Sequence, residues 1–247
     1  MTLLHALLLI LAAMAMLGLY VFWTEPLWLL PALEKLTPGI VYRVRTRLPL
    51  VALSFDDGPH PFFTPWVLDI LQRYDAKATF FLIGDRAARH PEVVAAIRAA
   101  GHEIGNHYSS NVSTLGHSDA AFLRNLEQTE AALGLLHAKP ADRLAEKPLL
   151  FRPPGGVARP RQIQLARARG YTCVLGCAYP HDPMHPPVGY MRWLVEKNLV
   201  PGAIVILHDG ISNPSRSLQA LPHILEAARR KGLRFVSISE LMRSTEG

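Results

Sequence analysis

Four stretches of the chain run through β-like apolar residues and then stop in a loop dense with carboxylate, His, Arg or Pro: LVALSFDDGPH, LLFRPPGG, YTCVLGCAYPHDP and AIVILHDG. Polar groups gathered at the C-terminal ends of successive parallel strands are how βα architectures build active sites. This recurrence predicts an enzyme before any single motif is identified.

The segments between these runs carry helical signals. Strands are expected at Leu50–Phe55, Ala78–Ile83, His102–Asn106, Leu149–Phe151, Tyr171–Leu175, Ala203–Leu207 and Arg234–Val236. Helices are expected from Thr64-Pro65 to Tyr74, then at Pro91–Ala100, Ser118–His137, Arg159–Arg169, Tyr190–Asn198, Ser217–Lys231 and Ser239–Arg243, with a loop at 138–148. Gly101 and Gly232 follow two of the helices, as terminating glycines do. About seven βα units result, which predicts an α/β fold with a parallel sheet, open or closed as a barrel.

Of the 247 residues, 49% are apolar and 19% charged, enough for one large α/β domain or two small ones. The net charge of +6 suits anionic lipid surfaces or acidic polymers. No Lys/Arg stripe interleaves with aromatics, so a nucleic-acid partner is not expected. Cys173 and Cys177 have no CxxC pattern around them and read as two buried thiols. The absence of a GxSxG elbow excludes a Ser nucleophile of the α/β-hydrolase kind.

The N-terminus is a separate unit. Leu3 to Trp23 is almost unbroken apolar sequence, about 21 residues, and as a helix spans roughly 30 Å, the thickness of a bilayer core. Tyr20 and Trp23 stand where an interfacial aromatic belt would be. Ala13-Met14-Ala15 resembles a cleavage site, but no basic stretch precedes it and the apolar run continues beyond it, so residues 1–23 are read as a single-pass anchor. Residues 24–48, broken by Pro26, Pro31 and Pro38, read as an interfacial or docking segment, and the catalytic domain as 49–247. Lys35, Arg43, Arg45 and Arg47 all follow the span, which under the positive-inside rule places that domain in the cytoplasm.

The strand-end loops carry the candidate chemistry. Asp56 and Asp57 are adjacent, so on extended backbone they point opposite ways; both can serve one site only if the strand turns there, and Gly58-Pro59 supplies a turn. The segment GHEIGNHYSSN holds His102, His107 and Asn111; His107 and Asn111, four apart, share one face of a helical turn, and a lone His there is more often an interior group than a ligand. Arg152 leaves a strand before two prolines, suited to a bidentate grip on a carboxylate. His208 ends a buried strand and suits a general acid; Asp182 could orient and charge-stabilise it, with His181 beside it exposed.

In their order and spacing, FDDGPH, the His107 segment, FRPPGG, Asp182 and ILHDG resemble the polysaccharide deacetylase family of carbohydrate esterases, over roughly Leu50 to Met242. The resemblance implies a distorted (β/α) barrel of about seven parallel strands and metal-dependent removal of an acyl group from an amide. It also implies Asp56 as base, Asp57 and His107 as metal ligands, Arg152 as partner of Asp56, Asp182 as tuner of the acid, His208 as acid and Leu207 in the acyl pocket, with Pro154 and Gly155 near the substrate. The implied cofactor is a divalent metal, zinc first, with cobalt, nickel or manganese as alternatives. Asn111 stands where the family usually has a second metal His, a poorer zinc ligand, with His117 a distant substitute. Gly155 and Pro183 stand where aromatics are usual, which opens the pocket and groove. The family's glycan substrates pull the domain toward the outer side of the membrane, against the charge rule. The expected function is N-deacetylation of an N-acetylated glycan at a membrane. The alternatives are deformylation or deacetylation of a lipid-linked aminosugar, and an inactive glycan-binding member.

Overall fold

The computed structural model describes residues 3–135 and 148–245. The expected loop at 138–148, all but its last residue, and the last residues of the helix expected to reach His137 lie outside this set.

The strands are β1 (Ile40–Val41), β2 (Leu50–Gly58), β3 (Thr79–Leu82), β4 (Glu103–Asn106), β5 (Leu149–Phe151), β6 (Tyr171–Val174), β7 (Ile204–His208) and β8 (Arg234–Val236). Seven lie side by side in the order β1-β6-β5-β4-β3-β2-β7, every pairing parallel, and β8 pairs with the start of β2. The path curls into a distorted barrel. Its ends are joined where Cys177 N–H donates to Ile204 O and Ile206 N–H to Ala178 O, both 3.0 Å, and Val44 N–H to Gly202 O, 2.9 Å. β1 was not foreseen. Two residues of ordinary β character inside a Pro-broken segment carry no periodic signal, yet they pair with Cys173 and Val174.

The helices are α1 (Leu3–Thr24), α2 (Leu30–Leu36), α3 (Phe63–Arg73), α4 (Gly84–Arg89), α5 (Pro91–Ala99), α6 (Asp119–Leu133), α7 (Pro160–Ala168), α8 (Val188–Asn198), α9 (Ser215–Arg230) and α10 (Ile238–Arg243). The short α4 was missed, being too brief for a period of 3.6 to show. Thr64 is not a cap for α3: its hydroxyl accepts from His60 N–H at 2.8 Å and donates to Asp209.

β2 shows how the sequence places the site. Val51, Leu53 and Phe55 pack outward in one core cluster with Val67 and Leu71 of α3 and Ile224 of α9. Burying each such side chain contributes about 1.5–3 kcal/mol. Leu50 and Ala52 face inward, clustered with Phe81, Leu150, Val174 and Ile204. With a side-chain period of two, Ser54 and Asp56 continue the inward series. β7 runs alongside with Asp56 opposite His208. Its Ile204, Ile206 and His208 face in, whereas Val205 and Leu207 join the outer core.

Candidate active site

The inward-facing ends of β2, β4, β5 and β7 open into a hollow of about 450 Å³. It is lined by Asp56, Asp57, His107, Asn111, Arg152, Gly155 and His208, together with residues not anticipated from sequence, chiefly Glu25, Tyr42, Tyr179 and Ile206. Leu207 is a correction: it is fully buried on the other face of β7, and alternation from His208 gives its expected place to Ile206. Pro154 is buried and only its neighbours Gly155 and Gly156 line the hollow. His117 turns away, its Nδ1 2.7 Å from the Tyr108 hydroxyl.

The adjacent carboxylates share the hollow because the strand irregularity falls between them. The β2–β3 register shifts between Asp56 and Gly58, and Asp57 sits at φ 68°. A bulged residue in the left-handed region re-aims its side chain at a cost of about 1–3 kcal/mol. Surrounding contacts hold it there. Arg86 donates to Asp57 O at 2.6 Å and also to Gly210 O. A Cβ on Gly210 would lie 1.9 Å from Asp57 O, so only glycine permits this approach.

Asp56 is held by Arg152, which is 1% exposed. Nη1 donates to Asp56 Oδ1 at 2.6 Å and to Ser54 Oγ at 2.8 Å; Nε donates to Val174 O at 3.1 Å and Nη2 to Leu175 O at 3.0 Å. The grip on Asp56 is therefore single, not bidentate, because the carbonyls ending β6 take the rest of the fork. Among the described residues Asp56 Oδ2 has no partner, which leaves it for a molecule in the hollow.

His107 Nδ1 lies 2.8 Å from Arg152 O, and Nε2 lies 3.3 Å from Asp57 Oδ1. A carbonyl can only accept, so Nδ1 carries a hydrogen and a neutral ring presents its Nε2 lone pair to a carboxylate. Two acceptors at that distance need a cation between them, a proton or a metal ion. Burial opposes ionisation of Asp57, but with a proton as the shared cation the His107 hydrogen bond and charge, with His208 and Arg86, hold its pKa below the ordinary value. One carboxylate oxygen and one carbonyl-braced imidazole fit a divalent ion of the zinc, cobalt or manganese kind. Among the described residues no third His, Cys, Asp or Glu joins them. Exposed Asn111 lines the same hollow.

On the other flank, Asp182 Oδ1 lies 2.9 Å from His208 Nδ1, while Asp182 Oδ2 accepts from His208 N–H and Ser217 Oγ, both 2.7 Å. Burial disfavours charge on His208. The charge and hydrogen bond of Asp182, with Asp56 and Asp57 near by, outweigh it and lift the pKa to about 9. Ser217, on α9 far along the chain, was invisible to motif reading.

The remaining histidines and thiols resolve plainly. His102 accepts from Ala78 N–H at 3.2 Å, and burial lowers its pKa to about 4, an interior group. Burial pushes the thiol of Cys173 up to about 12 and that of Cys177 to about 11. His181, expected to be exposed, is 2% exposed, because its ring stacks on Phe22 at 4.6 Å and its Nε2 lies 3.0 Å from Phe22 O.

This geometry agrees with the comparisons. Residues 43–174 match the sequence profile of the family described as Polysaccharide deacetylase. The chain belongs to that family. A peptidoglycan-N-acetylglucosamine deacetylase of Bacillus cereus is 38% identical over 84% of this chain and 94% of its own. The crystal structure of the Bc1960 peptidoglycan N-acetylglucosamine deacetylase, in complex with 4-naphthalen-1-yl-N-oxidanyl-benzamide, superposes with a TM-score of 0.75 at 29% identity, covering 84% of this chain and 94% of that one. A family 4 acetyl xylan esterase from Clostridium thermocellum, in complex with a cobalt ion, has a TM-score of 0.68 at 29% identity, covering 78% and 90%. This member of the polysaccharide deacetylase family gathers a carboxylate pair, an Arg and a His-Asp pair around one hollow, with Asn111 on its lining.

Proposed function

We propose that the chain is a metal-dependent N-deacetylase that removes the acetyl group of an N-acetylated glycan at a membrane surface. The observation that carries this is the pairing of two differently prepared groups on adjacent strands. Asp56 is gripped through one oxygen by Arg152, with the other left without a partner among the described residues, and His208 is kept protonated by Asp182. Register partners on adjacent strands lie roughly 4.8 Å apart, so both reach one bound amide.

Asp56 takes a proton from the attacking water as its oxygen adds to the acetyl carbon. His208, through Nε2, gives a proton to the sugar nitrogen, the C–N bond breaks, and acetate and a free amine result. Without that proton the tetrahedral intermediate would expel water and revert. Asp57 and His107 would hold the divalent ion, which supplies polarisation of the acetyl carbonyl and a lower pKa for water. The cobalt-bound relative and the deacetylase relatives support this reading. The exposed apolar helix α1 supports the membrane location.

The test is acetate release from N-acetylglucosamine oligomers by the full chain. Asp56→Asn should lower kcat by about 10²–10⁴-fold with the circular dichroism spectrum unchanged. Full activity of Asp56→Asn would overturn the reading. The two-donor cage also allows an inactive glycan-binding member, which is the outcome if wild type neither retains a divalent ion nor releases acetate but binds the oligomers.

A further inference from the structure

The end of the apolar helix is built into the rim of the hollow. The last carbonyls of α1 and the residue after it are each capped by the catalytic domain. His181 sits on Phe22 O, Tyr190 Oη donates to Trp23 O at 2.8 Å, Lys197 Nζ to Thr24 O, and Asn198 Nδ2 to Glu25 O at 3.1 Å. Glu25 then turns back at φ 41° and accepts from Tyr179 N–H at 2.7 Å through Oε2. Its side chain is part of the hollow's wall.

Between this helix end, α2 and the segment after β6 lies a second space of about 270 Å³, walled chiefly by Phe22, Leu29, Leu33, Tyr42 and Cys177. It shares Glu25, Tyr42, Gly176 and Tyr179 with the hollow, so the two adjoin across these four residues. It lies just under the roughly 300 Å³ where ligand pockets begin, and its mostly apolar lining suits a short apolar group better than a sugar. At 22 residues, α1 spans about 33 Å, so its last turn lies at the bilayer surface. Trp23, Trp28 and Leu36 stay exposed around it, as residues facing an interface do.

We propose that this crevice holds the first part of the hydrocarbon tail of a lipid-linked N-acetylated sugar whose sugar occupies the hollow. The inference rests on the deacetylase reading and narrows its substrate. A largely apolar slot that adjoins, across Glu25, Tyr42 and Tyr179, the hollow of Asp56 and His208, and lies at its other end beside the surface of a bilayer, matches an amphiphile with its sugar leading.

The experiment uses the full chain in phospholipid nanodiscs and the methyl, octyl and dodecyl glycosides of N-acetylglucosamine. In wild type, kcat/KM for acetate release should rise by about tenfold or more from methyl to dodecyl, as a few buried methylenes supply. Leu29→Trp and Leu33→Trp, which fill the crevice, should reduce that ratio toward one. A ratio unchanged by filling, as partition into the bilayer or a resident phospholipid in the crevice would give, overturns the proposal. So does the absence of any chain-length effect. Independently of folding in the variants, a glycoside with a diazirine in its tail should label the Leu29–Leu33 stretch of wild type, and dodecyl glycoside should compete. Labelling confined to the outer face of α1 overturns it, as does a mature N-terminus beyond Glu25. No acetate from any substrate, soluble oligomers included, removes the deacetylase reading itself.

Discussion

The hollow holds two His–Asp pairs connected in opposite senses. On one flank the carboxylate of Asp182 reaches the back of the His208 ring at Nδ1, 2.9 Å away, leaving Nε2 free. On the other, a backbone carbonyl holds the back of the His107 ring and the carboxylate of Asp57 faces its front, 3.3 Å from Nε2. The first arrangement stabilises an imidazolium with a proton to give. The second presents an anion and a ring nitrogen to the same point, which suits a cation shared between them. The same two residue types are set to opposite tasks by which nitrogen the carboxylate faces, Nδ1 in His208 and Nε2 in His107.

The largest effect should come from breaking the second pair. His107→Ala or Asp57→Asn should lower kcat/KM by about 10³-fold, since a lost metal ion forfeits several kcal/mol of transition-state stabilisation. Metal analysis of the purified protein should show the divalent content falling in parallel. Full metal content with normal activity in either variant would remove the cage from the mechanism.

Breaking the first pair should cost less and leave the metal alone. His208→Ala should reduce kcat by about 10²–10³-fold. Divalent content should equal wild type, and that separation of the two readouts is what the opposed connections require.

Much of this division was legible in the sequence. Asp56, Asp57, His107, Arg152, Asp182 and His208 all stand in strand-end motifs, and the structure brings all six around one hollow, with Asp182 just behind His208. What escaped was set by long-range packing or local register. Leu207 was assigned inward although alternation from His208 puts Ile206 there. The bulge at Asp57 has no residue signature, since the turn was legible only at Gly58-Pro59. Glu25 and His181 join the site region because α1 docks there; residues 24–48 read as an interfacial or docking segment, but nothing in that Pro-broken stretch names partners 154 residues away.

A finer break is Asp182→Asn, which keeps shape and removes charge. The His208 pKa, about 9 in the native protein, should fall toward the ordinary 6.5. The alkaline limb of the kcat profile should move down with it, and at pH 7.5 the rate should drop about tenfold as the protonated fraction falls. The same shift governs stability. The native pKa lies above the unfolded one, so the contribution of the pair is complete below about pH 6.5 and lost as pH rises through about 9. Urea midpoints measured at pH 6 and pH 10 should therefore differ more in wild type than in Asp182→Asn. An unmoved alkaline limb would mean that His208 is not the acid.

The smallest effect should come from Ser217→Ala. Asp182 Oδ2 accepts from both Ser217 and the His208 backbone, so one donor remains after the change and the carboxylate keeps its orientation. A hydrogen bond to a charged group contributes about 1.5–3 kcal/mol, and its loss should appear as a lower melting temperature. Activity should fall by no more than about threefold, because a rotation of His208 would be needed to lose more. The alkaline limb should rise slightly, since Asp182, with one donor fewer to delocalise its charge, holds the imidazolium more strongly. A large loss of kcat without loss of stability would show that Ser217 positions the acid and that the backbone N–H of His208 does not suffice. The orienting role would then be shared with α9, outside the strand-end motifs altogether.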